Sequence, residues 1–205
     1  MNEQLFEALA AHDRSIRLRA AMAAGTEPDV GMLDVLVARC AVDPDFYVRD
    51  MLTWALCRLP PEVVVPRLMA EVMSSIAQAS SQSLHTLSKI GDRRAWPAVR
   101  TFVHDENDEV ARAAWRAAVA LVPDGGEAEL AADLAREFGR GDEAVMRSLS
   151  RALVGTGEAV VPVLDAADEH PNPRVRAHAA ATRQLWHDPE SAFVFSQALA
   201  ADADR

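Results

Sequence analysis

The amino-acid sequence repeats itself with a period of about 31 residues. Each of six segments has an apolar anchor followed by an Ala-rich stretch, and the anchors are Ile16, Val48, Ala79, Val110, Val145 and Val175. Their spacings are 32, 31, 31, 35 and 30 residues. A fixed period of this length is typical of stacked repeats, because a single repeat cannot bury its apolar face alone. The sequence therefore predicts a solenoid rather than one globular core.

Each repeat begins with the pattern of a capped helix. Five of the six segments carry an N-cap residue three positions before the anchor: Asp13, Asp45, Asn107, Asp142 and Asn172. Such side chains accept hydrogen bonds from the free N–H groups of a first helical turn. Ile76 holds this position in the third segment, so we expect its helix to begin differently or later. Asp188-Pro189 predict a short last helix that contains Phe193, Val194 and Leu199.

A turn with Gly or Pro and then a second helix follow each first helix, which predicts an all-α chain of helical hairpins. The turn and second helix of the third repeat read LSKIGDRRAWPAV over residues 87–99, and two first helices begin Val48-Arg49 and Val175-Arg176. These motifs resemble HEAT repeats, especially the bacterial short-period type that also occurs in phycobilin lyase-like proteins. The resemblance covers about residues 5–200. It implies a right-handed α-solenoid of about six HEAT-like hairpins, which we expect to form a single domain over residues 1–205.

Composition narrows the class of partner. The formal net charge is −10, whereas a large nucleic-acid surface needs a basic footprint. Lys89 is the sole lysine, so anion contacts would come from arginine. There is no membrane-length apolar run and no signal-peptide pattern, and Cys40 and Cys57 form no paired motif. We therefore expect a cytoplasmic protein with reduced thiols and no membrane contact.

Catalytic and metal motifs are missing from the sequence. The HEAT-fold deoxyhypusine hydroxylases hold di-iron on His-Glu dipeptides, and this chain has none. The acidic segment 165–170 contains hard-metal ligands, but we interpret it as a salt-bridged surface with Arg174 or Arg176 as counter-charge. A metal site there is the alternative. We expect no catalytic residue, no metal and no cofactor.

The positions six residues after the anchors offer a candidate binding surface, which we call the flanking row. Its members are Met22, Trp54, His85, Arg116, Arg151 and Ala181. At helical periodicity this position lies beside the apolar stripe, and Trp115 falls in the same region. Trp and Arg are enriched in interface hot spots. The alternative is that these side chains pack against neighbouring helices.

A second candidate surface follows from the resemblance, which implies that second helices line the concave face. Arg67, Trp96 and Arg100 come from successive second helices, and we call them the concave set. The resemblance also implies a structural role for Arg17, Arg49 and Arg176, each just after an anchor, and for Arg112 and Arg147, one position further on. Such arginines commonly tie one repeat to the next. A phosphate-reading strip is the alternative.

These observations favour a non-enzymatic protein-protein interaction scaffold or adaptor whose partner is another protein or a peptide segment. The sequence leaves the oligomeric state open. The alternative is a DNA-binding HEAT-like protein of the alkylpurine DNA glycosylase type, which holds DNA in a basic groove lined by tryptophans. Four tryptophans keep this alternative open, whereas the net charge of −10 opposes it. Action on a bilin chromophore rests on family analogy alone.

Overall fold

The computed structural model describes residues 2–189, and all regular secondary structure in that range is helical. The predicted all-α class is therefore confirmed. The chain divides into two compact units, Met1–Leu121 and Val122–Arg205. The expectation of one domain over residues 1–205 stays a prediction. The expected last helix around Phe193 and Leu199 lies outside the described residues.

The first unit is a stack of antiparallel helical hairpins. Its described helices are α1 (Asn2–Leu9), α2 (Arg14–Thr26), α3 (Leu33–Val42), α4 (Phe46–Cys57), α5 (Pro61–Val72), α6 (Ala77–Ile90), α7 (Trp96–Val99) and α8 (Asp108–Leu121). The first helices of the repeats, α2, α4, α6 and α8, pack side by side in chain order. Of the second helices, α3 packs against α4 and α5 against α6. This is the hairpin stacking that the period predicts.

The second unit repeats the arrangement with the helices α9 (Glu127–Ala135), α10 (Glu143–Val154), α11 (Val160–Asp168) and α12 (Pro173–His187). The first helices α10 and α12 pack against each other, and so do the second helices α9 and α11. Across both units, no described helix combines the length and the apolarity that a membrane crossing requires.

All five predicted N-caps are present. The side chains of Asp13, Asp45, Asn107, Asp142 and Asn172 accept backbone N–H groups two or three residues ahead, at 2.7–3.4 Å. Ile76 occupies the same position before α6 without a side-chain cap. The start of α6 thus differs from the others, as expected, but it is not later, because α6 begins at Ala77 in the common register. The packing of α6 thus sets where it begins, and the helix lacks only the side-chain cap that the other repeats have.

Most of the repeat anchors lie in the core. Val48, Ala79, Val110, Val145 and Val175 are all buried, while Ile16 is the exception at 37% exposed. Many neighbouring core positions are alanines, which let first helices approach closely. Both cysteines are free, and burial raises the pKa of the Cys40 thiol to about 12. The interpretation of the cysteines as reduced thiols stays a prediction.

Candidate functional site

A buried aspartate fixes the start of α4 and thereby one wall of the candidate site. The Asp43 carboxylate accepts hydrogen bonds from Arg17 at 2.7 and 3.1 Å and from Arg39 at 2.7 Å. It also accepts the backbone N–H of Asp45 at 2.9 Å. Burial alone would raise the pKa of Asp43, but the bond from Arg17 and its other donors outweigh burial and lower it. Arg17 therefore ties α2 to the next repeat, as the resemblance implied.

A cleft of about 290 Å³ lies between α4, α6 and α8, wholly within the first unit. We call it the α4–α6–α8 cleft. The residues that line it are Phe46, Arg49, Asp50, Thr53, Ser81, Gln82, His85, Glu109 and Arg116. Two members of the flanking row, His85 and Arg116, are thus brought together in one concave site.

Electrostatics at this cleft favour a neutral histidine beside cationic groups. Burial is the first cause that lowers the pKa of His85, and the positive charges of Arg116 and Lys89 lower it further. Asp50 acts in the opposite direction but does not compensate. Partial burial and Arg112 also lower the pKa of Arg116, although part of its side chain reaches solvent. Near pH 7 His85 therefore offers a neutral N–H donor next to a guanidinium.

The guanidinium of Arg116 in the cleft and that of Arg112, one turn earlier on α8, lack acceptors in the part of the chain that the structure describes. Within residues 2–189, Arg112 and Arg116 make neither an ion pair nor a side-chain hydrogen bond. The Nε atoms of Arg49 and Arg112 are buried without a partner in the same range. Arg49 does donate from Nη1 to the carbonyl of Asp43 at 2.8 Å, which anchors its side chain. Donors without acceptors are costly in a partly desolvated site, and they fit an acceptor supplied by a ligand.

Aromatic side chains are exposed at the edge of the cleft. Phe46, which lines the cleft, is 64% exposed, and the adjacent Tyr47 is 61% exposed. Their rings meet edge to face, with centroids 5.6 Å apart. The sequence analysis missed both residues. The available signal was their position just before the anchor Val48, where two large aromatics fall outside the apolar stripe.

The rest of the flanking row does not join the cleft lining. Trp54 is 40% exposed and packs over Gly25 of α2, where an added Cβ would lie 2.2 Å from the Trp54 ring. Met22 is exposed, and Ala181 is buried. Arg151 is exposed on α10, in the second unit.

Trp115 does not belong to this surface, which corrects the sequence interpretation. Its ring is wholly buried, and its Nε1–H donates to the carbonyl of Val103 at 2.8 Å. Trp115 is therefore a core residue with a satisfied donor.

The concave set is largely occupied by contacts of its own. Arg67 donates to Asp34 and to Glu71, both at 2.7 Å. The guanidinium of Arg100 lies 5.7 Å from the ring centroid of Trp96. The structure thus pairs Trp96 with Arg100 and engages Arg67 with two carboxylates.

The acidic segment 165–170 is a salt-bridged surface, as we interpreted it, but its partner differs from the prediction. Arg183 of α12 donates to Asp165 at 3.1 Å and to Asp168 at 2.6 Å. Arg174 instead donates to the carbonyls of Gly139 and Gly141, and Arg176 donates to loop carbonyls. The partner lies two turns further along α12 because the helix packs beside α11 there. Among residues 2–189, no cluster of His, Cys, Asp or Glu is arranged to hold a metal.

Comparison with known proteins identifies the repeats. The family model for HEAT repeats matches residues 34–121, which end at the last residue of the first unit. Residues 34–121 are therefore similar to HEAT repeats. One solved structure similar to this chain is the crystal structure of an engineered protein, 17% identical, with a TM-score of 0.46. That similarity covers 93% of this chain and 98% of the engineered one. Among curated proteins, no significant match is found.

Proposed function

We propose that this protein is a non-enzymatic scaffold or adaptor of the cytoplasm that binds a partner protein at the α4–α6–α8 cleft. The observation that carries the proposal is the combination of the exposed Phe46–Tyr47 pair with guanidinium groups that have no acceptor within the described residues. HEAT repeats generally mediate protein–protein interactions, which agrees with this function.

The composition of the cleft resembles that of an interface hot spot. Aromatic and Arg side chains carry most of the binding energy in protein interfaces, usually at a concave or sheltered position. Here Phe46 supplies exposed apolar area, and Arg116 and His85 supply donors beside it. Trp54 lies one turn after the cleft residue Asp50 on α4, and its ring extends the apolar surface towards Gly25 of α2.

The concave set is a weaker candidate for the main contact. A partner that used Arg67 would have to compete with Asp34 and Glu71 for its guanidinium. Trp96 is half-buried, with Arg100 near its ring. These pairs stabilise the first unit without a ligand, whereas the cleft arginines have no such partners. The proposal therefore gives the cleft the primary role and leaves Arg151, in the second unit, as a separate contact.

Affinity capture from native cytoplasm with the full chain as bait tests the proposal. Lysates with and without nuclease treatment are compared, and bound material is identified by mass spectrometry. We expect the wild type to retain one or a few proteins after nuclease. The double variant Phe46→Ala/Arg116→Gln should lose them, while the control Met73→Ala/Arg58→Gln, which changes an exposed Met and an exposed Arg outside the cleft, should retain them.

Two results would contradict the proposal. Equal capture by both variants would exclude the cleft as the binding site. Recovery of nucleic acid that disappears on nuclease treatment would favour the glycosylase-type alternative over the adaptor. Circular dichroism of each variant shows that lost capture does not come from lost helical structure.

A further inference from the structure

We propose that the α4–α6–α8 cleft binds an oxyanion, a carboxylate or a phosphoryl group, that projects from a peptide segment of the partner and accepts hydrogen bonds from Arg116 and His85. This inference rests on the proposed function, because it names the chemistry by which that site recognises its partner. The elements of the argument are the unpaired arginines, the neutral histidine and the size of the cleft.

The placement of charge on α8 is the first element. Arg112 and Arg116 are four residues apart, so two like charges occupy one face of the helix, an arrangement that destabilises a helix. The chain has 31 acidic residues, and several arginines of the first unit have carboxylate partners, among them Arg17, Arg39 and Arg67. Arg112 and Arg116 have none within residues 2–189. An acidic chain that leaves these two charges uncompensated has a surface suited to an external anion.

The carboxylates of the cleft define where that anion binds. Glu109 accepts the Ser81 hydroxyl at 3.0 Å, which engages one of its oxygens. Asp50 lines the cleft as well, but at His85 its effect is smaller than that of Arg116 and Lys89. The cationic side is therefore the wall formed by Arg116 and His85. An oxyanion there gains a charge-assisted bond from the guanidinium and a neutral bond from the imidazole.

The dimensions of the cleft indicate a side chain as the source of the oxyanion. A volume of about 290 Å³ is at the lower limit of small-molecule pockets, and it fits one side chain of a peptide. Phe46 at the edge offers an apolar contact to the residues that flank the anionic group. Arg116 is suited to this role because a guanidinium binds carboxylate and phosphoryl groups with two parallel hydrogen bonds.

Titration of His85 by NMR in the full-length protein provides the test. Imidazole resonances are followed against pH in phosphate and in chloride of equal ionic strength, with His85→Gln used for assignment. We expect the pKa of His85 in the wild type to be higher in phosphate than in chloride, because a bound anion stabilises the imidazolium. This difference should disappear in Arg116→Gln and persist in Arg58→Gln. An equal pKa of His85 in the two salts would overturn the proposal, because any effect of phosphate would then reflect screening alone. The same difference between the salts in Arg116→Gln would overturn it as well.

Peptides distinguish the two sources of the oxyanion. Three leucine-rich peptides that differ only at a central phosphoserine, glutamate or glutamine are titrated into the full-length protein. We expect the phosphoserine or the glutamate peptide to bind about tenfold more tightly than the glutamine peptide. Whichever charged peptide binds identifies the group. Equal binding of all three peptides would overturn the proposal.

The oxyanion site and the adaptor function fail in different ways. If capture of the partner depends on Phe46 but is unchanged in the single variant Arg116→Gln, the adaptor function stands and the oxyanion site is wrong. If phosphate raises the pKa of His85 while the bait retains no protein, the anion site stands and the adaptor function is wrong.

Discussion

Asp43 makes contacts that join four helices of the first unit. Its carboxylate binds Arg17 of α2 and Arg39 of α3, and its carbonyl accepts from Arg49 of α4 and from Gln78 of α6. Both Asp43 and Arg17 are buried, at 0% and 6% exposed. Loss of this carboxylate would leave a buried guanidinium without its counter-ion, which is much more costly than loss of a surface pair.

Asp43→Ala should therefore lower the free energy of unfolding by about 3 to 5 kcal/mol, measured by urea denaturation. Asp34→Ala is the matched control, because Asp34 also pairs with an arginine but its side chain is 83% exposed. We expect a loss below about 1 kcal/mol there. Similar losses in the two variants would show that burial does not determine the strength of these pairs.

Gly25 and Trp54 form a second close contact between α2 and α4. A Cβ at Gly25 would lie 2.2 Å from the Trp54 ring, so Gly25→Ala should displace the ring and destabilise the protein by about 1 to 3 kcal/mol. In a Trp54→Ala background the same change should be neutral or stabilise by up to about 1 kcal/mol, since Ala is the better helix former. Urea denaturation of the four proteins completes the cycle. A loss of the same size in both backgrounds would contradict the contact.

Sequence reasoning singled out Arg17 and Trp54 but not their partners, Asp43 and Gly25. The Arg after an anchor predicted a tie between repeats, and Arg17 makes it. However, the period cannot tell that Trp115 points into the core, or that Arg183 rather than Arg174 balances the acidic segment. Such contacts depend on how far each helix rotates and slides against its neighbour. Those displacements are set by side-chain packing, which a repeat pattern does not contain.

At the scale of single helices, α6 shows that a helix can begin in the register of the repeat without a side-chain cap. Ile76 is the N-cap residue, with extended backbone and a side chain 51% exposed, and no side-chain oxygen caps the helix. Ile76→Asn should add the missing bond to a first-turn N–H and raise the free energy of unfolding by about 1 kcal/mol in thermal or urea denaturation. Ile76→Ala, which shortens the side chain without adding an acceptor, should bring no such gain. Equal effects of Asn and Ala would contradict a capping origin.

A buried hydrogen-bond network joins α10 to α12 in the second unit. The backbone N–H of Gly139 donates to Nδ1 of His178 at 3.0 Å, so the proton is on Nε2, which donates to the Met146 carbonyl at 2.9 Å. Ser150 and Thr182 complete the network. Burial lowers the pKa of His178 to about 4, despite the opposing effect of the Met146 carbonyl. At a pH between about 4 and about 6.5, the imidazole of His178 is therefore neutral in the folded protein, whereas the unfolded chain binds a proton there.

The sign of the pH dependence follows from these values. Above an unfolded pKa of about 6.5 neither state is protonated at His178, and the network contributes fully. As the pH falls towards 4 only the unfolded state gains a proton, so unfolding becomes easier, by about 2 kcal/mol at pH 5. Urea denaturation at pH 7 and pH 5 measures the loss. It should disappear in His178→Gln and persist in the control His187→Gln, which changes an exposed histidine. An unchanged loss in His178→Gln would assign the acid sensitivity to other groups.

At the scale of the whole chain, the variation in the spacing of the anchors is informative as well as its mean. The longest interval between anchors, 35 residues from Val110 to Val145, contains the division between the two units after Leu121. The extra residues fall near the turn over residues 123–126, which has two adjacent glycines. The HEAT match also ends at Leu121. An irregular interval thus marks the place where the regular stack of the first unit ends, and the sequence contained that signal.

The overall charge determines how the cleft cations act on a large polyanion. Arg116 in the cleft, whose pKa Arg112 lowers, and Lys89, which acts on the histidine of the cleft, form a local basic site on a chain of net charge −10. A duplex presents many phosphates, so it meets the acidic surface as well as the cleft, and binding to it needs several phosphate contacts at once. A peptide that presents one oxyanion avoids this repulsion. The same charge distribution therefore favours a single anionic group and disfavours a nucleic acid.

Labelled duplex DNA should accordingly bind the full-length protein with a dissociation constant weaker than about 10⁻⁴ M at physiological salt, measured by fluorescence anisotropy. Substitution of the two cleft carboxylates, Asp50→Asn/Glu109→Gln, should strengthen binding of the charged peptides. It should leave DNA binding weak, because most of the acidic surface is unchanged. Tight DNA binding by the wild type, with a steep loss of affinity on adding salt, would require a basic groove of many contacts and would support the glycosylase-type alternative.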